Sequence, residues 1–301
     1  MENNTNQVDS YLHHIRNSCP DLEVRTAQLS AGGEVNDILI INEEWIFRFP
    51  KSSGGLEQLN TELAILGTIQ GHVSTPVPNP VYTGKDLQTV GAAFMGYRKL
   101  PGEILDAHLE NAREKDGGRQ IAQQLAAFLK ELHGFPLERT GLKAPVHDRG
   151  RREALPGEFK NIRENLYPYM RPDACTEVSA RFNEFLNTST GHEYEQVLRH
   201  GDLGPRNILV NPHSLAITGI LDFGSAGLDD PAIDLGFISF WGEALLGTAF
   251  VQQFYAGYGV SEMLLNRARF HKILIAMLVA MQGLQNSNPE LFNFAIRPFI
   301  E

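Results

Sequence analysis

The sequence predicts an α+β protein in which a small antiparallel β-rich lobe precedes a larger, mainly helical lobe. Its first third contains short runs of β-branched and aromatic residues separated by turn residues, a pattern typical of strands and hairpins. Most of the remainder places apolar residues at helical spacing. The change occurs near the segment YRKLPG. We therefore expect an N-terminal lobe of residues 1–98 and a C-terminal lobe of residues 99–301, with a hinge near residues 96–102.

The expected β-rich lobe begins with three short strands, at residues 22–29, 37–42 and 45–50. The linker NEE between the last two is short enough for a hairpin. A helix follows, because four leucines fall on one helical face. They are Leu56, Leu59, Leu63 and Leu66. The prolines of TPVPNPVYTG suit an edge strand, and GAAFMGYRKL is expected to complete the sheet.

The expected helical lobe starts with an amphipathic helix at residues 119–133, which ends in His133, a capping or packing residue. Residues 158–186 also have a helical pattern, and so does most of the chain after residue 230. Two short apolar runs, NILV and AITGILDFG, are joined by NPHS and predict a hairpin embedded among the helices.

The composition excludes several classes of partner. The chain has 301 residues and a formal net charge of -10, so we expect neither nucleic acid nor an anionic membrane surface as a partner. The first residues have no basic segment followed by an apolar one, and no apolar run is long enough to span a bilayer. Two widely separated cysteines suit a reducing compartment. We expect a cytoplasmic monomer that acts on a small molecule.

The segment RHGDLGPRNILV carries the strongest chemical signal. It contains Asp202 and, five residues later, Asn207; Asp222 follows fifteen residues after Asn207, at the end of an apolar strand. Phosphoryl transfer uses one carboxylate to orient the attacking hydroxyl and accept its proton, and hard oxygen ligands to hold Mg²⁺ against the nucleotide phosphates. The predicted hairpin would bring Asn207 and Asp222 to one metal. Asp202 is therefore the predicted catalytic base.

The motifs HGDLGPRNIL, ILDFG and DDPAIDL together resemble those of the kinase-like phosphotransferases, and most closely the aminoglycoside phosphotransferase family. The resemblance covers nearly the whole chain. It implies a bilobal protein-kinase-like fold and Mg²⁺-dependent transfer of the γ-phosphoryl group of ATP or GTP to a hydroxyl. It also implies that His200 supports the catalytic loop and that Asp234 anchors it by hydrogen bonding.

The same resemblance implies a nucleotide site in the N-terminal lobe. LSAGGEVND is similar to the family's nucleotide-binding loop, and FMGYRKLPGE is similar to its hinge. WIFRFPK resembles the third strand of the kinases, with Arg48 where protein kinases have lysine, and Glu62 matches the acidic partner of that cation. The nucleotide-binding residues implied in this way are Ser30, Gly32, Gly33, Arg48, Glu62, Tyr97, Arg98 and Lys99.

The acceptor is suggested by charge. Residues 221–262 contain six acidic residues and no lysine or arginine, so they could present carboxylates to a cationic aminoglycoside, with Asp229, Asp230 and Glu243 as contacts. An acidic solvated surface is the alternative explanation. The apolar segment FISFWGEALLG would instead suit a macrolide. We favour an aminoglycoside, whose phosphorylation would confer resistance; a macrolide or a small metabolite are the alternative acceptors.

Overall fold

The computed structural model describes residues 2–30, 33, 35–114, 117–141, 149–187 and 194–301. These residues form two compact units. The first comprises Met1–His108, Glu138–Gly141 and Pro205–Ala226, and the second comprises Leu109–Leu137, Leu142–Gly204 and Gly227–Glu301. The first unit is rich in strands and the second in helices, which confirms the predicted α+β class.

The first unit is built on a five-stranded antiparallel sheet in the order β1-β2-β3-β5-β4. Its strands are β1 (Ala27–Ser30), β2 (Asn36–Ile41), β3 (Trp45–Pro50), β4 (Pro80–Thr83) and β5 (Met95–Arg98). Helix α1 (Glu2–Ser18) packs on this sheet, and helix α2 (Ser53–Ile69) follows β3 directly. Strand β4, which begins with Pro80, lies at the edge as predicted, where the missing N–H of proline leaves no partner strand unpaired.

The hairpin between β2 and β3 is closed by Asn42 and Glu43, both with positive φ, a conformation that asparagine tolerates well. The Asn42 side-chain oxygen also accepts hydrogen bonds from the backbone N–H groups of Arg25 and Thr26. These contacts hold the segment before β1 outside the sheet. Strand β1 therefore starts at Ala27 and not at Leu22, the start that the sequence predicted. Alternate side chains of β2 and β3 pack against α1 in the core.

The predicted second hairpin is confirmed as strands β8 (Ile208–Val210) and β9 (Ile217–Ile220). It belongs to the first unit, because β8 also pairs with β6 (Glu103–Ile104). The backbone N–H of Ile220 donates to the carbonyl of Pro76, which fastens the hairpin to the same unit.

The second unit contains eight helices among the described residues and one short strand pair, β7 (Val197–Arg199) with β10 (Gly227–Asp229). The helices are α3 (Leu109–Glu114), α4 (Gly117–His133), α5 (Arg149–Asn165), α6 (Pro172–Asn187), α7 (Ala232–Leu246), α8 (Thr248–Tyr258), α9 (Glu262–Gln285) and α10 (Pro289–Ile300). The amphipathic helix expected at residues 119–133 is confirmed as α4. The helical stretch expected at residues 158–186 is two helices, since prolines at 168 and 172 interrupt it.

Helix α7 packs against α9 at very short range. A Cβ atom on Gly236 of α7 would lie 2.8 Å from the Cβ of His271 and 2.9 Å from the carbonyl oxygen of Ala268. Only glycine therefore allows this approach. Among the residues with described coordinates, none of the helices has the length and apolar character needed to cross a bilayer.

Candidate active site

Arg48 and Glu62 form a buried ion pair in the first unit. Arg48 lies on β3 and Glu62 on α2, with 2.8 Å between Nη1 and Oε1. Ser52 caps the start of α2 by accepting a hydrogen bond from the backbone N–H of Gly55, so the helix begins at once after the strand. Glu62 Oε1 also accepts from the backbone N–H of Phe223 at 3.2 Å. The ion pair thus reaches the segment that contains Asp222.

Asp222 is the second carboxylate beside Arg48, with 3.2 Å between its Oδ1 and Arg48 Nη2. Its side chain is 39% exposed, whereas that of Glu62 is 1% exposed. Burial by itself would lower the pKa of Arg48, but the carboxylates of Glu62 and Asp222 raise it above its ordinary value. Arg48 therefore stays charged, and the cluster presents one partly exposed carboxylate.

The backbone of Asp222 has φ 64°, in the left-handed region, and its side chain accepts a hydrogen bond from the N–H of Gly224. Asn207 lies at the same end of the β8–β9 hairpin. Ile208 pairs with Ile220, and the N–H of Leu221 donates to the carbonyl of Asn207 at 2.8 Å. The hairpin thus brings the two predicted metal ligands to one end of the same element.

The other residues implied for the nucleotide site lie in different surroundings. Tyr97 lies on β5 on the same sheet face as Arg48 and is buried with Leu59 and Met95. Burial raises the pKa of Tyr97 to about 12, although the charge of Arg48 lowers it. Arg98 is exposed and pairs with Glu44.

Three of the predicted positions are defined by backbone contacts. Ser30 ends β1 opposite Ile38. A Cβ atom on Gly33 would lie only 1.9 Å from the carbonyl oxygen of Asn36, so the loop approaches β2 closely at that point. The backbone N–H of Lys99 donates to the carbonyl of Glu44. Gly32 lies outside the described residues.

The loop that carries Asp202 belongs to the second unit, and Asp234 on α7 holds it. The two oxygens of this buried carboxylate accept from the backbone N–H groups of His200 and Gly201, each at 2.8 Å. The N–H of Asp202 donates to Nδ1 of the buried His200 at 3.2 Å. Gly201 has φ 85°, which glycine adopts without strain. The loop conformation is therefore fixed on both sides of Gly201.

His133, which the sequence predicted to be a capping or packing residue, is buried at the end of α4 and contacts Asp234. Its Nε2 contacts Asp234 Oδ2 at 3.1 Å, and its Nδ1 contacts the hydroxyl of Tyr258 at 2.8 Å. Burial would raise the pKa of Asp234, but the hydrogen bond and charge of His133 lower it to about 2. In the sequence, only the position of His133 at the end of a predicted helix set it apart. The aspartate partner lies 101 residues away and has no local pattern.

The acidic residues proposed for the acceptor all have partners within the second unit. Asp230 is 2% exposed; it pairs with Arg267 Nε at 2.7 Å and accepts from the N–H of Ala232. A bound molecule would have to break this ion pair to reach that carboxylate. Asp229 accepts from the N–H of Asp230 and the hydroxyl of Tyr194.

Glu243 is more accessible. Its side chain is 41% exposed and pairs with Lys272 of α9. The cations that pair with the acidic residues of segment 221–262 therefore lie outside that segment. In the folded protein these ion pairs offset part of its negative charge. Helix α7 also explains the apolar run FISFWGEALLG, because Ile238, Phe240 and Trp241 are buried. The indole N–H of Trp241 donates to the carbonyl of Leu203, the residue after Asp202.

Comparison with known proteins agrees with this fold. The model of the phosphotransferase enzyme family matches residues 26–271, so the chain belongs to that family and is a phosphotransferase that acts on hydroxyl groups. This confirms the resemblance seen in the sequence.

Similarity to individual proteins extends over most of the chain. An aminoglycoside 3′-phosphotransferase from Streptomyces fradiae is 24% identical over 207 residues, which are 66% of this chain and 72% of the relative. A viomycin phosphotransferase from Streptomyces vinaceus is 24% identical over 236 residues, 74% and 77% of the two chains.

Solved structures are similar over nearly the full length. The GDP and kanamycin complex of APH(2″)-IIIa is 26% identical, with a TM-score of 0.77 over 96% of each chain. A macrolide 2′-phosphotransferase from Brachybacterium faecium shares the fold at a TM-score of 0.66 and 17% identity, over 96% of this chain and 97% of the other.

Proposed function

We propose that this enzyme transfers the γ-phosphoryl group of GTP or ATP to a hydroxyl of an aminoglycoside and thereby confers resistance. The observation that carries the proposal is the Arg48 cluster. A permanently charged guanidinium is held by a buried carboxylate and touches a second, partly exposed one. This arrangement suits a triphosphate whose charge needs both a fixed cation and a metal.

In this proposal, residues 1–98 form the nucleotide-binding lobe and residues 99–301 the acceptor lobe. Arg48 binds the phosphates, and Glu62 fixes its orientation. The backbone at Gly33 would approach the phosphates closely, because glycine has no side chain to obstruct them. Tyr97, Arg98 and Lys99 border the nucleobase site.

The donor set at Asn207 and Asp222 suits Mg²⁺. A carboxylate and a carboxamide supply hard oxygen ligands of the kind that Mg²⁺ prefers, so Asp222 and Asn207 would hold the ion. When bound, the metal neutralises charge that develops on the phosphates. The left-handed backbone of Asp222 holds its carboxylate at the end of the β8–β9 hairpin, beside Arg48.

Asp202 is the proposed catalytic base. It would accept a hydrogen bond from the attacking hydroxyl, align it with the γ-phosphorus and receive its proton. His200 and Asp234 keep the backbone of this loop in place. Rigid placement is the main contribution that a protein makes to phosphoryl transfer.

An aminoglycoside is the proposed acceptor because the GDP and kanamycin complex is similar over 96% of each chain. The apolar residues that suggested a macrolide are largely core residues of α7, so that alternative loses its main support. Glu243 and Asp229 are the proposed contacts for the ammonium groups, whereas Asp230 would need to give up Arg267. Three structures of 25–26% identity contain GDP, whereas two of 17% identity contain ADP or ATP, so the more similar sequences favour GTP as phosphate donor.

We also propose that the enzyme acts as a cytoplasmic monomer on a small molecule, with no nucleic acid or membrane partner. Both cysteines are free thiols, as expected in a reducing compartment.

A coupled phosphotransfer assay tests the function. It should cross GTP and ATP with aminoglycosides, macrolides and small alcohols, with and without Mg²⁺. We expect turnover with at least one aminoglycoside. Turnover with macrolides alone would overturn the acceptor, and turnover with small alcohols alone would indicate a metabolite kinase. In the same assay Asp202→Ala should lose transfer while still binding nucleotide; near-normal turnover would remove Asp202 from its role.

A further inference from the structure

A series of polar contacts joins helix α1 to the loop after strand β1, all within the first unit. The hydroxyl of Tyr11 donates to Asp37 Oδ2 at 2.8 Å. Asp37 Oδ1 lies 3.7 Å from the ammonium of Lys51. That ammonium donates to the backbone carbonyl of Gly33. Helix α1, strand β2 and the residue after β3 are thus connected to one peptide group of the glycine loop.

Asp37 is held from the side of α1. Its Oδ2 accepts from Gln7 Nε2 at 2.6 Å as well as from Tyr11. Tyr11 is nearly buried, and its ring stacks on Phe49 at 3.9 Å between centroids. Burial raises the pKa of Tyr11 to about 12, so its hydroxyl keeps the proton that it donates. One carboxylate oxygen is therefore fixed by α1, while the other faces Lys51.

Lys51 needs such a restraint. Its side chain is 40% exposed, and a lysine in solvent has many rotamers that would take the ammonium away from Gly33. The opposite charge of Asp37 favours the rotamers in which the ammonium reaches the carbonyl. The backbone N–H of Lys51 donates to the carbonyl of Val35, so the same residue holds the chain on both sides of residue 34.

We propose that Asp37 and Lys51 are positioning residues that fix the peptide group of Gly33 beside the proposed phosphate site, with α1 as their support. Glycine loses more backbone freedom than other residues when it is ordered, so a loop ordered in advance binds with a smaller entropy cost. The inference rests on the proposed function of this loop. It makes α1, which precedes the residues matched by the family model, part of the nucleotide site.

The test compares the affinity of the whole chain for GDP and for guanosine, which lacks phosphates. Calorimetric titrations would use Asp37→Asn, which keeps the size and the acceptor for Tyr11 but removes the charge facing Lys51, and Lys51→Met. We expect the Kd for GDP to rise about three- to tenfold in each, as for loss of a typical hydrogen bond. The Kd for guanosine should be unchanged.

Three further variants sharpen the test. The double variant should bind GDP no more weakly than Lys51→Met, because both residues act through one contact. Lys51→Arg, which keeps the cation, should restore the wild-type Kd to within about twofold. Lys160→Met changes an exposed lysine of α5 and is the matched control, with no expected effect. In turnover assays the loss should fall on the KM for nucleotide and not on kcat.

Equal weakening of GDP and guanosine in folded variants would indicate a general structural role and overturn the inference, as would unchanged GDP affinity. Thermal melting establishes that each variant is folded. Failure of the proposed function is a different result, since the wild-type chain would then bind neither GDP nor ADP.

Discussion

Two buried charge clusters of this enzyme, around Arg48 in the first unit and around Asp234 in the second, differ in what they leave exposed. Around Arg48, one guanidinium faces two carboxylates, and that of Asp222 is 39% exposed. Around Asp234, every contact is internal, and the carboxylate is fully buried among His133, His200 and Gly201. The first cluster retains an acceptor for a ligand. In the second, the two oxygens of Asp234 accept from two backbone N–H groups of the loop and contact His133.

The surroundings of a buried carboxylate indicate its role. A carboxylate that has a strained backbone and retains exposed oxygen is suited to bind something absent from the chain itself. A carboxylate that receives backbone N–H groups on both oxygens is suited to position other residues. Substitutions at the first cluster should therefore lower activity without lowering stability. Substitutions at the second cluster should lower both.

The largest expected effect is that of Asp222→Asn on turnover. Asparagine fits the same left-handed backbone and nearly the same volume, so the fold should be kept. Loss of the charged metal ligand should reduce kcat about a thousandfold, comparable to removal of a main electrostatic contact. Steady-state kinetics and thermal melting would be measured together. A large fall in melting temperature with little change in kcat would reverse the assignment of this cluster.

Asp234→Asn should have the next largest effect, on stability and activity together. One side of the amide would place an N–H₂ group against a backbone N–H donor, so one of the two loop contacts must be lost. The free energy of unfolding should fall by about 3 kcal/mol, as for a broken buried pair. Denaturant unfolding measures it, and kcat should fall in parallel. Unchanged stability would show that Asp234 does not anchor the loop.

The pH dependence of stability provides a second test of the Asp234 cluster. The pKa of Asp234 in the folded enzyme is about 2, below the value of about 3.9 for a free aspartate. Its carboxylate therefore stabilises the fold above about pH 4, by about 2–3 kcal/mol, and this contribution is lost as the pH falls towards 2. The free energies of unfolding of wild type and Asp234→Asn should therefore approach each other as the pH falls from about 4 to about 2. A constant difference would contradict the assignment.

The smallest expected effect is that of Tyr258→Phe, which removes one hydroxyl from the outer end of the second cluster. The loss of its contact with His133 should cost about 1 kcal/mol of unfolding free energy. Tyr255→Phe, on the same helix, removes a hydroxyl that contacts Ser239 and serves as the matched comparison. A change in kcat for Tyr258→Phe alone would show that the cluster transmits a disturbance to the catalytic loop.

Local sequence patterns were sufficient for some of these features. The spacing of Asp202, Asn207 and Asp222 was informative because a loop followed by a hairpin is a short-range structure. The α4 helix and the β8–β9 hairpin were predicted for the same reason: apolar periodicity and turn residues act within a few positions. The roles of these residues remain predictions until the substitutions above are measured.

Other features could not be predicted, because their partners are distant in sequence. Asp230 and Glu243 belong to a segment without cations, yet Arg267 and Lys272 reach them from α9. His133 meets Asp234 only when α4 and α7 pack in one unit. Helix α1 received no prediction, since its apolar residues are few among many polar ones, although Tyr11 and Ile15 fill the core beneath the sheet.

The absence of a side chain at Gly236 has a consequence for redesign of this enzyme. Helix α7 carries Asp234, Trp241 and Glu243, and its distance from α9 leaves no room for even one methyl group at residue 236. A directed-evolution library aimed at a new acceptor could vary Glu243 freely, but one that also randomises Gly236 would consist mostly of misassembled members. Residue 236 should therefore stay glycine in such a library, while Glu243 on the same helix is varied.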